Sequence, residues 1–189
     1  LVHDALSLDD APASDLALLF AYMGRIPFER FERALTPALS ALALELGLVT
    51  RGDDGSITSP FLLMPFMGLW IISDPLSQDG DAVMGPGPTT HELARLLPAR
   101  TPRSVLDVGC GAGTFALLAS DRGSAEAVGV DINPRAIELA RVNARLNGLS
   151  AEFLAGDLFA PVEGRRFDLV ISQPPFVARA RALLRAFRL

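Results

Sequence analysis

Four stretches of this sequence hold residue types at spacings that could do chemistry. The first is Val105-Leu106-Asp107-Val108-Gly109-Cys110-Gly111-Ala112-Gly113-Thr114-Phe115. A short apolar run containing one acid passes through three alternate glycines into an apolar helical pattern. Glycines at a strand-to-helix turn reach φ > 0 and let a ligand approach the backbone closely. The first helical turn beyond them leaves unpaired N–H groups facing that ligand. Thr114 stands where the last glycine of a dinucleotide Gly-x-Gly-x-x-Gly motif would fall, which weakens that reading. The second stretch is Asp131-Ile132-Asn133, 24 residues after Asp107. A carboxylate at the end of a second parallel strand accepts both hydroxyls of a ribose, and Ile132 beside it would cover one face of an adenine. The bland alternative is an acid near a helix start. The third is Gly156-Asp157-Leu158-Phe159, where Asp157 would accept the exocyclic amine of adenine and the two apolar residues would touch the ring. Here the alternative is an Asx turn.

The fourth stretch, Gln173-Pro174-Pro175-Phe176, speaks to reaction type. Two prolines after a buried strand fix the backbone and remove two donors. The carbonyls of Gln173 and Pro174, with the Gln173 side-chain oxygen, then form an acceptor-rich pocket that suits an N–H₂ group. Phe176 can stack on a flat substrate. A strand-to-helix turn without a substrate role is the alternative.

These stretches need a scaffold that brings them together, and the pattern from residue 103 onward supplies one. Strands are expected at Ser104–Val108, Ala127–Val130, Glu152–Leu154 and Phe167–Ile171. Helices are expected from Thr114 to Ser120 and from Pro134 to about Asn147, the second capped by Asn133 and lined by Ala136, Ile137, Ala140 and Ala144. Alternating strands and helices imply a parallel sheet. In such a sheet ligands bind beyond the C-terminal strand ends, where all four stretches fall.

The front part reads differently. Asp15–Met23, Pro27–Leu35 and the segment from Pro37 to Gly47 read as short helices. Leu48–Arg51 and Ser56–Thr58 read as a small hairpin across Gly52–Gly55. Helices followed by a hairpin resemble a winged-helix unit, and its acidity favours a helical cap over a DNA-binding module. Phe61–Asp74 is dense in apolar residues and reads as one or two joining strands. Asp79–Pro88 is a breaker-rich loop, after which Thr89 or Thr90 is expected to cap a helix to about Leu97. The division expected is residues 1–78 as the cap and 79–189 as the α/β domain.

Bulk properties narrow the classes. The chain has 189 residues, half of them hydrophobic, enough for a sizeable core. One cysteine and two histidines argue against a disulfide framework and against a structural metal site. A reducing, cytoplasmic setting fits. Phe61–Ile72, the longest apolar stretch, is too short for a membrane span and contains Pro65 and Gly68. Residues 1–100 carry 13 acids against 6 arginines, a balance of −7, while residues 101–189 balance at +2. The absence of lysine beside 17 arginines reflects coding composition.

Leu106–Phe115, Val130–Ala136, Asn143-x-x-x-Asn147-Gly148, Gly156–Phe159 and Phe167–Phe176 together resemble class I S-adenosylmethionine-dependent methyltransferases. More narrowly they resemble the "small" methyltransferase-domain group with an Asn-Pro-Pro-Tyr/Phe motif, which includes protein-glutamine and ribosomal-RNA guanine N-methyltransferases. The resemblance covers about residues 84–178. It implies a Rossmann-like α/β fold with S-adenosylmethionine as cofactor. Gly109, Gly111 and Gly113 would pass close to the methionine part of the cofactor, with Asp107 supporting the loop and Cys110 and Thr114 within it. Asp131, with Ile132 and Asn133, would serve the ribose side, and Asp157 with Leu158 the adenine. Gln173, Pro174 and Phe176 would face an amine or amide of a protein, RNA or small-molecule substrate. The Thr89–Thr90 turn would close over the methionine end. Two departures stand out. Gln173 replaces the usual Asn, and the sheet is expected to stop after its fourth strand, as in a shortened chain, a permuted order or a sheet completed by a partner or a second copy.

Overall fold

The structure, a computed structural model, describes residues 11–75 and 81–174 of the chain. Among the described residues the α-helices are α1 (Pro12–Phe20), α2 (Phe28–Ala34), α3 (Pro37–Glu45), α4 (Pro88–Arg95), α5 (Thr114–Asp121) and α6 (Pro134–Leu146). The strands are β1 (Ile26–Pro27), β2 (Thr50–Arg51), β3 (Ser56–Thr58), β4 (Leu62–Phe66), β5 (Leu69–Ser73), β6 (Ser104–Val108), β7 (Glu126–Asp131), β8 (Glu152–Ala155) and β9 (Leu169–Ser172). Helices α1, α3, α4 and α6 all carry proline in their first turn, where the missing N–H removes no intrahelical bond.

The front unit packs α1–α3 against a three-stranded antiparallel sheet in the order β1-β3-β2. Leu18, Leu19, Ile26, Phe31, Val49 and Ile57 form its buried cluster. The helix expected from Asp15 begins at Pro12, and Asp15 lies buried within it, paired at 2.6 Å with Arg30. The second helix begins one residue later than expected because Ile26 and Pro27 join the sheet as β1, leaving Pro27 as the cap residue.

The apolar stretch after residue 60 forms an antiparallel hairpin, β4–β5, turning at Met67 and Gly68 with φ of 49° and 93°. Phe66, Leu69 and Ile71 of this hairpin belong to the same buried cluster as Val105, Phe115, Leu117, Ile137 and Phe153 of the α/β part. Its outer edge is closed by side chains. Asn143 accepts the Ile72 N–H at 2.8 Å and donates to the Ile72 carbonyl at 2.9 Å. Asn147 does the same for Trp70, at 2.8 Å in both directions. Two residues four apart on a helix are separated by about 6 Å along its axis, and two residues two apart on a strand by about 6.6 Å. The pair of amides therefore matches the outward-facing peptide groups of β5 and blunts what would be an open strand edge.

The α/β part is a parallel sheet in the order β8-β7-β6-β9. Helix α5 buries Thr114 through Ala119, and α6 buries the expected face of Ala136, Ile137, Ala140 and Ala144. Leu106, Val108, Val128, Val130 and Val162 fill a second cluster. The last strand starts at Leu169, two residues later than expected. Asp168 leaves the ladder to accept the Arg103 and Ser104 N–H groups at 2.9 and 3.1 Å, tying the lower ends of β6 and β9 together. Strand order reverses between β6 and β9, the place where open sheets of this kind leave a crevice.

Candidate functional site

The turn from β6 into α5 borders that crevice. Gly109, Gly111 and Gly113 all have positive φ, at 72°, 51° and 84°. Their reasons differ. A Cβ on Gly113 would stand 2.9 Å from both Ala140 Cβ and the Phe153 ring, so this glycine is required for packing. A Cβ on Gly109 would meet nothing within 4 Å, so this glycine borders open space. The Val130 carbonyl accepts the N–H groups of both Gly109 and Cys110, at 2.8 and 3.0 Å. The Cys110 carbonyl accepts the Gly113 N–H at 2.8 Å. The Cys110 side chain belongs to the buried core, and its peptide groups bond to the end of β7 and to Gly113, so the expected cofactor-side residue stands behind the loop. Burial pushes its thiol well above the usual range. Thr114, the first residue of α5, is likewise buried.

Asp107 lies beneath the loop, 2 % exposed, and accepts the Ala116 N–H at 3.3 Å. Burial pushes its carboxyl up to about 7. The N–H groups of Ala116 and Phe115 pull it back, while the Asp131 charge pushes it further up. Asp131 takes the opposite environment at the rim. Its Oδ2 accepts the Gly111 N–H at 2.8 Å and its Oδ1 the Asn133 N–H at 2.9 Å, and the residue stays half-exposed. Each oxygen keeps a further lone pair for a ligand. Asn133 caps α6, accepting the Arg135 N–H at 3.0 Å and donating to the Asp81 carbonyl at 2.9 Å.

Asp131 is paired in register with Ala155, which brings the end of β8 to the same rim. The Asp131 carbonyl also accepts the Gly156 N–H at 2.9 Å. Asp157 is exposed here, and its carbonyl accepts the Ala160 N–H. Ile132 and Leu158 are 71 % and 60 % exposed beside these strand ends. Leu158 reaches this position with φ of 46°, a left-handed conformation rarely adopted by a residue with a branched side chain.

On the other side of the crevice, Val108 pairs with Ser172, so Gln173 lies level with Gly109 across the strand-order reversal. The Gln173 Nε2 donates to Thr89 Oγ1 at 2.6 Å. Thr89 is the second residue of α4, not its cap. Gly87 occupies the cap position, and Thr90 Oγ1 accepts the Gly87 N–H at 3.0 Å, which corrects the expectation of a threonine cap. The segment leading to α4 also touches the glycine loop, because the Met84 carbonyl would lie 3.5 Å from a Cβ on Gly111. Pro174 is exposed at the end of β9, and Pro175 and Phe176 lie outside the described residues.

The structure therefore gathers Gly109, Gly111, Asp131, Ile132, Asp157, Leu158 and Gln173 along one edge of the sheet, and places Asp107, Cys110, Gly113, Thr114 and Asn133 behind them as supports. Asn143, which the sequence marks only as part of the family resemblance, also donates to the Ala112 carbonyl at 3.0 Å and so ties the glycine loop to the hairpin. The signal is two asparagines four apart, one on the buried face of α6 and one at its C-terminal cap. Sequence reasoning passed over Asp74, whose carboxylate receives the Arg135 guanidinium on both oxygens and the Val83 N–H at 2.7 Å. Among the described residues, no three His, Cys, Asp or Glu side chains gather as a metal site. No helix there is long and apolar enough to cross a membrane.

Residues 86–187 match the family model described as the methyltransferase small domain. A release factor glutamine methyltransferase of Geobacter sulfurreducens is 33 % identical over 157 residues, covering 81 % of this chain and 52 % of the relative. A protein of the same name from Vibrio cholerae is 31 % identical over 182 residues, covering 89 % of this chain and 60 % of the relative. The ribosomal RNA small subunit methyltransferase C of Salmonella choleraesuis is 44 % identical over 85 residues, covering 44 % of this chain and 25 % of the relative. The chain spans about half the length, or less, of several curated relatives it matches.

Proposed function

The chain belongs to the methyltransferase small-domain family, and from that premise we propose that it transfers a methyl group from S-adenosylmethionine to an amine or amide nitrogen of its substrate. The observation that carries the nitrogen assignment is the Gln173 amide beside the glycine loop, donating through Nε2 to Thr89. That bond engages the donor side of the amide and leaves Oε1, with two lone pairs, to accept N–H bonds. The carbonyls of Gln173 and Pro174 add acceptors at the same strand end. A nitrogen nucleophile bearing two hydrogens matches such a group of acceptors, and its lone pair is then left to attack.

The residues present fit the cofactor. Gly109 borders open space in which a side chain would stand, Asp131 keeps lone pairs at the rim, and Ile132 and Leu158 offer exposed apolar surface on either side of it. In this reading the glycine loop receives the methionine portion, Asp131 the ribose hydroxyls, and Asp157 with Ile132 and Leu158 the adenine. When bound, the sulfonium supplies an already activated methyl group, so the protein contributes chiefly proximity and orientation. Asp107 holds the start of α5 in place, and Gln173 orients the acceptor by receiving its N–H groups. The relatives named for release-factor glutamine and for ribosomal RNA support a protein amide or an RNA base amine as the acceptor. On the proposed division at residues 1–78 and 79–189, α1–α3 with β1–β3 serve as a cap, while the β4–β5 hairpin packs into the core of the α/β part.

The test is Gln173→Ala, measured with tritiated S-adenosylmethionine over purified release factor and small-subunit ribosomal RNA. Transfer falls by about a hundredfold, while calorimetric affinity for S-adenosylhomocysteine stays within about twofold, since this side chain acts on the acceptor. Undiminished transfer overturns the role of Gln173.

A further inference from the structure

We propose that the Thr89 hydroxyl is a positioning residue for this transfer: it holds the Gln173 amide by Nε2 so that Oε1 is the atom offered to the acceptor's N–H groups. The inference rests on the nitrogen-acceptor reading above. Thr89 and Thr90 stand next to each other at the start of α4 and do different things. Thr90 is buried and closes the helix start by accepting the Gly87 N–H. Thr89 is exposed, and its hydroxyl instead meets a residue 84 positions later, at 2.6 Å. A terminal amide turns readily about its last torsion and presents either its carbonyl or its NH₂ to a cleft. In this structure the bond to Thr89 takes up the NH₂ and leaves Oε1 for the acceptor. The length of the side chain is part of the device. The extra methylene of glutamine adds about 1.5 Å of reach over asparagine, and in this structure that reach ends on α4. The result offers Oε1 together with the Gln173 and Pro174 carbonyls as a group of acceptors, which favours a nucleophile bringing two N–H donors over a hydroxyl bringing one.

A double-mutant cycle on the full chain tests this, using Thr89→Val, Thr89→Ser, Gln173→Asn and the Thr89→Val/Gln173→Asn pair. The acceptors are N-acetylglutamine amide, guanosine, release factor and small-subunit ribosomal RNA, and the cofactor probe is S-adenosylhomocysteine. Thr89→Val is expected to lower kcat about tenfold, and Thr89→Ser to restore it to within about twofold. Melting curves and S-adenosylhomocysteine affinity remain those of the wild type. In the Gln173→Asn background Thr89→Val adds nothing, because the shorter amide no longer reaches Thr89. Full activity of Thr89→Val beside an impaired Gln173→Asn overturns the inference and leaves the nitrogen-acceptor reading standing. An equal loss from Thr89→Val in both backgrounds also overturns it, by placing the hydroxyl's effect elsewhere. Wild-type protein that binds S-adenosylhomocysteine yet methylates none of the four acceptors overturns the reading and the inference together.

Discussion

Replacing Asn143 by alanine offers the sharpest test of how the cofactor loop is held. The side chain is fully buried and makes three bonds, from the Ile72 N–H at 2.8 Å and to the carbonyls of Ile72 and Ala112 at 2.9 and 3.0 Å. Each is worth about 1 kcal/mol net, and a buried partner left without a bond costs a further 1–3 kcal/mol or so. Ile72 is half-buried and can take up water after the change, whereas Ala112 cannot. The sum is about 4–6 kcal/mol, a large share of the roughly 5–15 kcal/mol by which domains are stable. Asn147→Ala is the matched control. Its bonds to Trp70 and to the Asn143 carbonyl lie nearer solvent, where freed groups take up water, so its cost is about 2 kcal/mol. Urea unfolding followed by circular dichroism reads both. Asn143→Asp separates bonding from shape: its Oδ1 still accepts the Ile72 N–H, but a carboxylate faces two carbonyl oxygens, so it costs at least as much as alanine. Calorimetry with S-adenosylhomocysteine should show weaker binding for Asn143→Ala, because the Ala112 anchor is lost. If Asn143→Ala costs no more than Asn147→Ala, the loop is not held from this side and the reasoning fails.

Three other perturbations follow from the same loop. The Asp107 carboxyl sits at about 7 when folded, above the model-peptide value of 3.8, so the folded state binds its proton more tightly. The stability this confers is complete below about pH 4 and is lost as the pH rises through 7, at up to about 1.4 kcal/mol per pH unit. Asp107→Asn should therefore be stabilised relative to wild type at pH 8 by a few kcal/mol and show little advantage at pH 4, and a pH-independent difference in melting would rule out the titration. Gly113→Ala should destabilise by about 2–4 kcal/mol, through its φ and the 2.9 Å approach to Ala140 and Phe153. Gly109→Ala should cost only about 1 kcal/mol of stability but weaken S-adenosylhomocysteine binding, since its Cβ enters the open crevice. Equal losses of stability at the two glycines would contradict this division.

What could be read from the sequence was set by short-range chemistry. The β6–α5 turn, the cap at Asn133 with Pro134, and the carboxylate at the end of β7 depend on residues within a few positions of each other. Each also has one dominant physical reason, such as a positive φ or an unpaired helix N–H. The helix start at 87–90 was misplaced because Thr89 and Thr90 are both good capping residues, and the proline at 88 moves the cap to Gly87. The Asn143–Asn147 clamp could not be located from spacing alone. Its partners lie 71 and 77 residues earlier, and only the seating of the hairpin turns two helical asparagines into a substitute strand edge. Cys110 shows the same limit. Alternate positions of a tight loop point alternately toward ligand and core, and which glycines border the crevice depends on Phe153 and Ala140 arriving from elsewhere.

The two carboxylates at the ends of β6 and β7 show how environment divides labour between identical groups. Asp107 is sealed beneath the loop, where burial favours its protonated form and its bonds run to the α5 backbone. Asp131 stands half-exposed at the rim, its oxygens on the N–H groups of Gly111 and Asn133. Exchanging their surroundings would exchange their chemistry, since nothing in the side chains themselves distinguishes them. The loop between them is held by Asp107 through the start of α5, by Asp131 at Gly111, and by Asn143 at Ala112. Two of these bonds hold the loop itself and the third holds the helix start behind it. A site whose reaction needs mainly proximity gains most from this arrangement, because the ordering is complete before binding and does not weaken it.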